Sequence, residues 1–120
     1  MTYYVDGYVI PVPKKNLAAY RRLALKAAKI WREHGALEVR ECAADDLAVH
    51  CGLSFPKLTK VKTGETVVFS WITFKSRAQR NRVNAAVMKD PRLTALCDPN
   101  KMLFESQRMT YGGFKTMVAV

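Results

Sequence analysis

The sequence has few cysteines and no long apolar run, and these shortages exclude several classes of protein. Its 120 residues contain three cysteines and no C-x-x-C pair, which argues against a disulfide-stapled mini-protein or a zinc knuckle. The longest apolar-rich run, residues 66–74, has about half the length that crosses a bilayer. The first residues also lack the basic and apolar regions of a secretion signal. We therefore expect a soluble, cytoplasmic protein with reduced thiols and no membrane partner.

Histidine is also scarce, which leaves few ligands for a metal. The chain has two histidines, His34 and His50, and the adjacent pair His50 and Cys51 rarely converges on one ion without further ligands. His34 precedes a glycine at the end of a predicted helix, so we interpret it as a helix-end residue rather than a catalytic base. Cys42 and Cys97 are interpreted as small, buried, unreactive side chains. The sequence predicts no metal and no cofactor, and its catalytic residues are unknown.

Acidic residues are half as numerous as basic ones, and the formal net charge is +10. Thirteen of the 20 cations lie in residues 14–32 and 75–92, both of which are predicted to be helical. A basic helix surface favours attraction to nucleic acid. The sequence lacks an RNA-binding motif, so a solvated outer helix face is the simpler interpretation. The nucleic-acid alternative would use Arg21, Arg22, Lys26, Lys29 and Arg80.

Length and hydropathy patterning predict one α+β domain over residues 1–120. Half of the residues, 49%, are hydrophobic, which suits a single core. Residues 3–10 predict a strand that ends at the Pro11-Val12-Pro13 segment, and residues 15–34 carry a clean amphipathic helical period. Gly35 is placed to end this helix in a left-handed conformation. Alternation over residues 37–42 predicts the second strand, and residues 43–64 form an irregular connection with one helical turn near residues 54–58.

The second half of the chain predicts a further strand, two helices and a last strand. Residues 65–75 are apolar on both faces, which requires two buried faces. Ser76 is a natural cap for the next helix, and Asp90 with Pro91 starts a short one. The last strand covers residues 107–118, and its pair Gly112-Gly113 predicts a bulge or a close backbone approach.

The predicted order β-α-β-β-α-(α)-β is the ferredoxin-like arrangement, an antiparallel sheet with its helices on one face. The other face of the sheet is then left uncovered. Because the third strand is apolar on both sides, a monomer would expose that side to water. We therefore expect a homodimer.

The same alternation predicts a polar cluster on the uncovered face. We place Val5, Val9, Leu37 and Val39 under the helices, which turns Tyr4, Asp6, Tyr8, Glu38 and Arg40 toward the space between subunits. A small-molecule pocket would have weak catalytic candidates and aromatic walls. The candidates are Asp6, Glu38, Arg40 and Arg108, and the walls are Tyr4, Tyr8, Trp71 and Tyr111. The competing interpretation is a set of interface salt bridges that fix the register of a dimer.

Five segments together resemble the YbaA-like family of uncharacterised small bacterial proteins. They are residues 4–15, 31–42, 64–71, 87–93 and 109–115, and the resemblance extends over nearly the whole chain except residues 43–62. It implies the dimeric α/β-barrel superfamily, in which two ferredoxin-like subunits pack sheet against sheet around a small-molecule cavity. The resemblance implies no particular activity. We therefore expect small-molecule binding or a modest enzymatic activity, with RNA binding or a purely structural role as alternatives.

Overall fold

A computed structural model describes residues 2–120 and shows a four-stranded antiparallel sheet with three of its helices on one face. The strands pair in the order β2-β3-β1-β4, which is the ferredoxin-like topology predicted from the sequence. The strands are β1 (Tyr4–Pro13), β2 (Glu38–Ala43), β3 (Glu65–Phe74) and β4 (Thr110–Lys115). The helices are α1 (Leu17–Glu33), α2 (Phe55–Thr59), α3 (Arg77–Met88) and α4 (Pro91–Leu96), with short 3-10 turns at Lys14–Asn16, Pro99–Lys101 and Ser106–Arg108.

The helix boundaries follow the local signals in the sequence. Helix α1 ends at Glu33 and is followed by its cap residue His34. Gly35 then takes a φ of 118°, a positive φ that glycine adopts without strain. The Ser76 hydroxyl accepts a hydrogen bond from the Gln79 backbone N–H at 3.1 Å at the start of α3. Asp90 caps α4 in the same way. These predicted caps are confirmed.

Strand β1 continues through the prolines that were expected to end it. Pro11 and Pro13 pair in register with Val67 and Glu65 of β3. Strand β4 pairs only with β1 residues 4–9, so residues 10–13 form an edge of the sheet on that side. Proline is tolerated at a sheet edge because an N–H that points to solvent is not needed for the ladder. The predicted strand end at residue 10 is therefore wrong.

The sheet has one face under the helices and one open face. Val68, Ile72 and Phe74 of β3 are buried on the helix side, where they meet side chains of α1, α3 and α4 in two core clusters. The alternate β3 residues, among them Phe69 and Trp71, lie on the open face. The prediction that β3 is apolar on both sides is confirmed.

The register shows that the predicted facing is correct for β2 and wrong for β1. Val39 of β2 packs against the helix-side core, and Glu38 and Arg40 lie on the open face beside Trp71. In β1 the even-numbered residues face the helices, as buried Ile10 shows. Val5, Gly7 and Val9 consequently lie on the open face.

The two glycines of β4 pair with β1 residue for residue, so the close approach is confirmed and the bulge is not formed. Gly112 lies opposite Gly7, and Gly113 lies opposite Asp6. A Cβ atom on Gly113 would overlap the Tyr4 hydroxyl and lie 2.8 Å from the guanidinium of Arg80. Residue 113 must therefore be a glycine, because the Tyr4 hydroxyl and the Arg80 guanidinium occupy the space that a side chain would fill.

The connection of residues 43–64 reaches the open face of the sheet. Its short helix α2 begins at Ser54, whose hydroxyl accepts a hydrogen bond from the Lys57 N–H. The Phe55 ring meets the Phe69 ring edge-on, with centroids 6.0 Å apart. This connection therefore covers one margin of the open face.

Candidate functional site

The open face carries a fixed polar group formed by Trp71, Glu38 and Arg40. Strand pairing places Arg40 directly beside Trp71. The indole N–H donates to the Glu38 carboxylate at 2.9 Å, the Arg40 guanidinium donates to the other carboxylate oxygen at 2.9 Å, and the guanidinium lies 5.8 Å from the indole ring centre. The hydrogen bond from Trp71 and the one from Arg40 lower the pKa of Glu38. Glu38 is therefore an ionised acceptor, poorly suited to be a general acid.

An apolar groove of about 570 Å³ runs along this open face beside the polar group. Phe69 is 43% exposed and Phe114 is 64% exposed, which is unusual for aromatic side chains on a sheet. The groove is suited to an apolar molecule or to another apolar surface. It is lined by Val5, Gly7, Tyr8, Val9, Phe69, Trp71, Thr73, Thr110, Tyr111, Gly112 and Phe114.

Asp6 lies on the opposite face of the sheet from Glu38, which corrects its predicted position. It is 4% exposed and is enclosed by two side chains of α3. The Asn84 amide donates to its carboxylate at 3.1 Å, and the Arg80 guanidinium Nε lies 3.5 Å from the other oxygen. The sequence analysis placed Asp6 beside Glu38 because it assigned the valines of β1 to the helix side. Such an error inverts the facing of every side chain in a strand.

The network around Asp6 extends to both helices and contains residues that sequence reasoning missed. Asn84 accepts a hydrogen bond from the Trp31 indole of α1 at 3.0 Å. Arg80 donates to the Tyr4 hydroxyl at 2.9 Å and lies 4.9 Å from the centre of that ring. A signal for this network was present, because Arg80 and Asn84 stand one turn apart on the side of α3 that carries the buried Val83 and Val87.

The predicted aromatic walls divide between the two faces. Tyr8 belongs to the helix-side packing, and its ring stacks on that of Tyr111 with centroids 5.8 Å apart. Burial, followed by the nearby Asp6 carboxylate, raises the pKa of Tyr8, so its hydroxyl stays protonated. Tyr4 is bound to Arg80 on the helix side. The other three predicted walls, Tyr8, Trp71 and Tyr111, border the open-face groove, and Trp71 lies centrally in it.

Arg108 lies neither on the open face nor beside Asp6, but at the start of β3. Its guanidinium donates to both oxygens of Glu65, at 2.6 and 2.8 Å, and to the Lys60 carbonyl at 3.1 Å. The hydrogen bonds from Arg108 and from the Lys62 N–H lower the pKa of Glu65 to about 2. This pair fastens the connection of residues 43–64 to the sheet, so Arg108 is separated from the open-face group with which it was predicted.

A second groove, of about 630 Å³, lies between α1 and the edge strand β2. Tyr20 and Glu41 meet in it, with the hydroxyl donating to the carboxylate at 2.9 Å. Glu41 as a residue is exposed, but its carboxyl group is partly buried. This burial raises the pKa of the Glu41 carboxyl. The walls are mostly aliphatic side chains of α1 and β2, among them Leu25 and Val39.

The basic residues of α1 and α3 do not form one surface. Arg21, Arg22, Lys26 and Lys29 are exposed on α1, as the amphipathic period predicted. Arg80 instead points inward to Asp6 and Tyr4. It is therefore removed from the nucleic-acid surface that the sequence suggested.

Residues that could hold a metal are dispersed. His34 lies at the end of α1 with its Nε2 atom 2.8 Å from the Asp90 carboxylate, where it links two helix ends. Cys42, Cys51 and Cys97 are free thiols; Cys42 is half-buried and Cys97 is exposed, so the predicted burial of these two side chains is wrong. Within residues 2–120, no group of three histidine, cysteine or acidic side chains is arranged to bind an ion.

The sheet order, the helices on one side and the apolar open face define an α+β protein of the ferredoxin-like class. The chain belongs to the family described as "Protein of unknown function (DUF1428)", which matches residues 3–106. It is 40% identical over 115 residues to the "Uncharacterized protein YbaA" of Escherichia coli (strain K12), a match that covers 96% of this chain and 97% of that protein. The relative in Shigella flexneri gives the same figures. The resemblance found in the sequence is confirmed.

Solved structures at low identity show the same fold. A NIPSNAP family protein from Agrobacterium tumefaciens has a TM-score of 0.59 at 13% identity, covering 95% of this chain and 87% of that chain. A NIPSNAP domain protein from Burkholderia xenovorans has a TM-score of 0.59 at 11% identity, covering 97% and 94%. A protein from an uncultured marine organism, described as dimeric and ferredoxin-like, has a TM-score of 0.54 at 12% identity, covering 99% and 96%.

Among the helices of residues 2–120, none is long and apolar enough to cross a bilayer.

Proposed function

We propose that two copies of this chain pack the open faces of their sheets together and bind a small molecule between them, as in a dimeric α/β barrel. The observation that carries the proposal is the exposed aromatic surface around Phe69, Trp71 and Phe114 on an otherwise well-packed sheet. Burying a fully exposed phenylalanine contributes about 1.5–3 kcal/mol, and the partly exposed Phe69 and Phe114 would each gain a share of that. The description of the marine fold neighbour as dimeric supports the same arrangement.

The groove indicates what kind of molecule would be bound. Its walls are apolar, so the ligand would bury mainly apolar atoms. The group of Glu38, Arg40 and Trp71 at its side would give orientation, because hydrogen bonds hold both carboxylate oxygens of Glu38 in place. Glu38 and Arg40 remain candidates for contact with a ligand or for a modest activity. Asp6 and Arg108 lie outside this cavity and are assigned to structural roles.

A substitution on the open face tests the proposal. We expect Phe69→Asp to convert a dimer to a monomer in static light scattering, because it would bury a charge between the sheets. Met88→Asp is the matched control, since Met88 is an exposed apolar residue on α3 away from the open face. A wild-type protein that scatters as a 13.6 kDa monomer at micromolar concentration would exclude the dimer.

The cavity is tested separately with 1-anilinonaphthalene-8-sulfonate, a dye whose fluorescence rises in apolar sites. We expect binding by the wild type and by Met88→Asp, and loss of binding in Phe69→Asp. Dye binding that survives in a monomeric Phe69→Asp would place the site elsewhere, with the α1–β2 groove as the next position to examine.

The nucleic-acid alternative makes a different prediction. A protein of net charge +10 attracts polyanions at low salt regardless of its role. We expect weak RNA binding that fades by about 0.15 M salt, where charges more than about 8 Å apart are screened. Arg21→Glu and Arg22→Glu are suitable probes, whereas changing Arg80 would disturb the Asp6 network. Tight, shape-selective binding at the higher salt would favour the RNA role.

A cytoplasmic location is also proposed, supported by the three free thiols.

A further inference from the structure

The carboxylate of Glu41 differs from the other partly buried carboxylates, because no cation neutralises it. Asp6 and Glu65 each lie beside an arginine side chain, at 3.5 and 2.6 Å. Within residues 2–120, Glu41 has no lysine, arginine or histidine partner, although the chain has 20 basic residues and 10 acidic ones. A charge withdrawn from water is normally paired. Glu41 can therefore accept a cation that the chain itself does not supply.

This carboxylate faces the α1–β2 groove. Glu41 and Val39 are two residues apart on β2, so they share the helix side of the strand, and both line the groove. The Tyr20 side chain is 6% exposed, and its hydroxyl holds one carboxylate oxygen of Glu41 at 2.9 Å. The Ser70 hydroxyl also bonds the carboxylate. A carboxylate has about four acceptor sites, so two hydroxyl donors leave room for a further donor.

The electrostatics of Glu41 favour a positively charged donor. Burial raises the pKa of the Glu41 carboxyl, and the hydrogen bonds from Tyr20 and Ser70 oppose this change only in part. The anion is therefore less well stabilised in the groove than it is in water. A positive charge within about 4–6 Å would stabilise the ionised form.

The rest of the groove is suited to a hydrocarbon body. Small-molecule sites typically combine apolar walls with a few polar groups that fix the orientation of the ligand. Arg21 borders the groove from the exposed side of α1, so a ligand with a second positive charge would be repelled. The apolar side chains along the groove are Leu17, Ala24, Leu25, Ala28, Val39 and Val68.

We propose that the α1–β2 groove binds an apolar monoamine, whose ammonium group donates to Glu41 and whose hydrocarbon part lies along α1. The groove is on the helix side of the sheet, so this site is separate from the sheet-face cavity proposed above and stands without it. An alcohol of the same shape would fill the groove but lacks the charge. A carboxylate of the same shape would be repelled by Glu41. The end group of the ligand therefore decides its affinity.

Three compounds with one hydrocarbon part and different end groups test the proposal. They are 4-phenylbutylamine, 4-phenylbutan-1-ol and 4-phenylbutyrate. Isothermal titration calorimetry is carried out near neutral pH in about 0.15 M salt, which screens the net charge of the chain beyond about 8 Å. We expect the amine to bind at least tenfold more tightly than the alcohol and the carboxylate. Equal affinities, a preference for the carboxylate, or no binding of the amine overturns the proposal.

The variant Glu41→Gln removes the charge and keeps an acceptor for the Tyr20 hydroxyl. We expect at least a tenfold loss of affinity for the amine and less than a threefold change for the alcohol. Asp45→Asn is the matched control, because Asp45 is an exposed carboxylate just after β2 that does not line the groove. It removes the same charge and should bind the amine as the wild type does. Unchanged amine binding in Glu41→Gln, or an equal loss in Asp45→Asn, contradicts the proposal.

The position of the amine can be measured on the wild-type protein, so this test does not depend on the folding of a variant. Amide signals in proton–nitrogen NMR spectra are followed as 4-phenylbutylamine is added. We expect the largest shifts in residues 17–28 of α1. Shifts confined to residues 110–114 of β4 would place the amine in the open-face groove and exclude the α1–β2 site. The sheet-face dimer is judged separately by Phe69→Asp.

Discussion

Phe74 and Phe69 lie on the same strand but on opposite faces of the sheet, and their surroundings differ sharply. Phe74 is 0% exposed against side chains of α1, α3 and α4, whereas Phe69 is 43% exposed and packs on Phe55 and Trp71. One face of β3 therefore completes the core within the chain. The other face keeps apolar surface that the chain itself does not bury.

Polar groups divide between the faces in the same way. On the helix side, the carboxylate of Asp6 is enclosed by Arg80 and Asn84 of α3, so its charge is compensated inside the fold. On the open side, the ion pair of Glu38 and Arg40 is more than 40% exposed in both partners. The helix-side network contributes to stability, and the open-side group is accessible to a ligand or a second copy.

The largest effect on stability should come from truncating Phe74, and the same truncation at Phe69 is the comparison. Phe74→Ala removes a fully buried ring, and the loss of apolar burial and the resulting cavity should destabilise the fold by about 4 kcal/mol. Phe69→Ala should lower the stability of the monomer by about 1 kcal/mol or less and weaken dimer formation instead. Urea unfolding below the dimer dissociation constant measures both. Equal losses would mean that the two faces are equally important within one chain.

Removal of the Asp6 carboxylate should have the next largest effect. Asp6→Ala leaves the Arg80 guanidinium without its anionic partner in a mostly buried site, which should cost about 3 kcal/mol. Arg80→Met in the same background should restore part of this loss, because an unpaired buried cation is then removed. Urea titration of the two single variants and the double variant measures the coupling. Strictly additive losses would show that the pair does not act as a unit.

The fold was predictable from local signals, whereas the facing of β1 was not. The helix ends at Gly35, Ser76 and Asp90 depend on residues within a few positions of each cap, so a single sequence reveals them. In β1, valines alternate with Tyr4, Asp6 and Tyr8, and the simple interpretation places the valines inside.

The structure reverses the facing of β1 because of contacts that are distant in sequence. Asn84 is 78 residues from Asp6, and no local pattern links the two. The side of a strand that is buried is normally inferred from the alternation of apolar and polar residues. This signal is lost when both faces of the sheet are apolar. Strand β2 was predicted correctly because its Val39 lies between two charged residues on an edge strand. The candidate site was therefore predicted in part, as Glu38, Arg40 and Trp71.

The adjacent glycines of β4 offer a smaller and more local comparison of the two faces. Gly113→Ala places a Cβ against the Tyr4 hydroxyl and Arg80 on the helix side, which should cost about 2 kcal/mol through overpacking. Gly112→Ala meets only the Phe114 ring, at 3.8 Å on the open side, and should change stability by about 0.5 kcal/mol or less. Thermal unfolding of both variants measures the difference. A neutral Gly113→Ala would show that Tyr4 and Arg80 can move away from β4.

The smallest effects are expected in the pH dependence of stability. The ion pair of Glu38 and Arg40 on the open face is compared with that of Glu65 and Arg108 at the start of β3. The pKa of Glu65 falls from 4.5 to about 2 beside Arg108, so its ionised form stabilises the native state. This contribution is complete above pH 4.5 and is lost as the pH falls toward 2. Glu65→Gln should flatten the dependence of the urea midpoint on pH in that window. Glu38→Gln should flatten it less, since Trp71 and Arg40 lower the pKa of a more exposed carboxylate. A larger change for Glu38→Gln would show that the open-face group is shielded from water, as in a dimer.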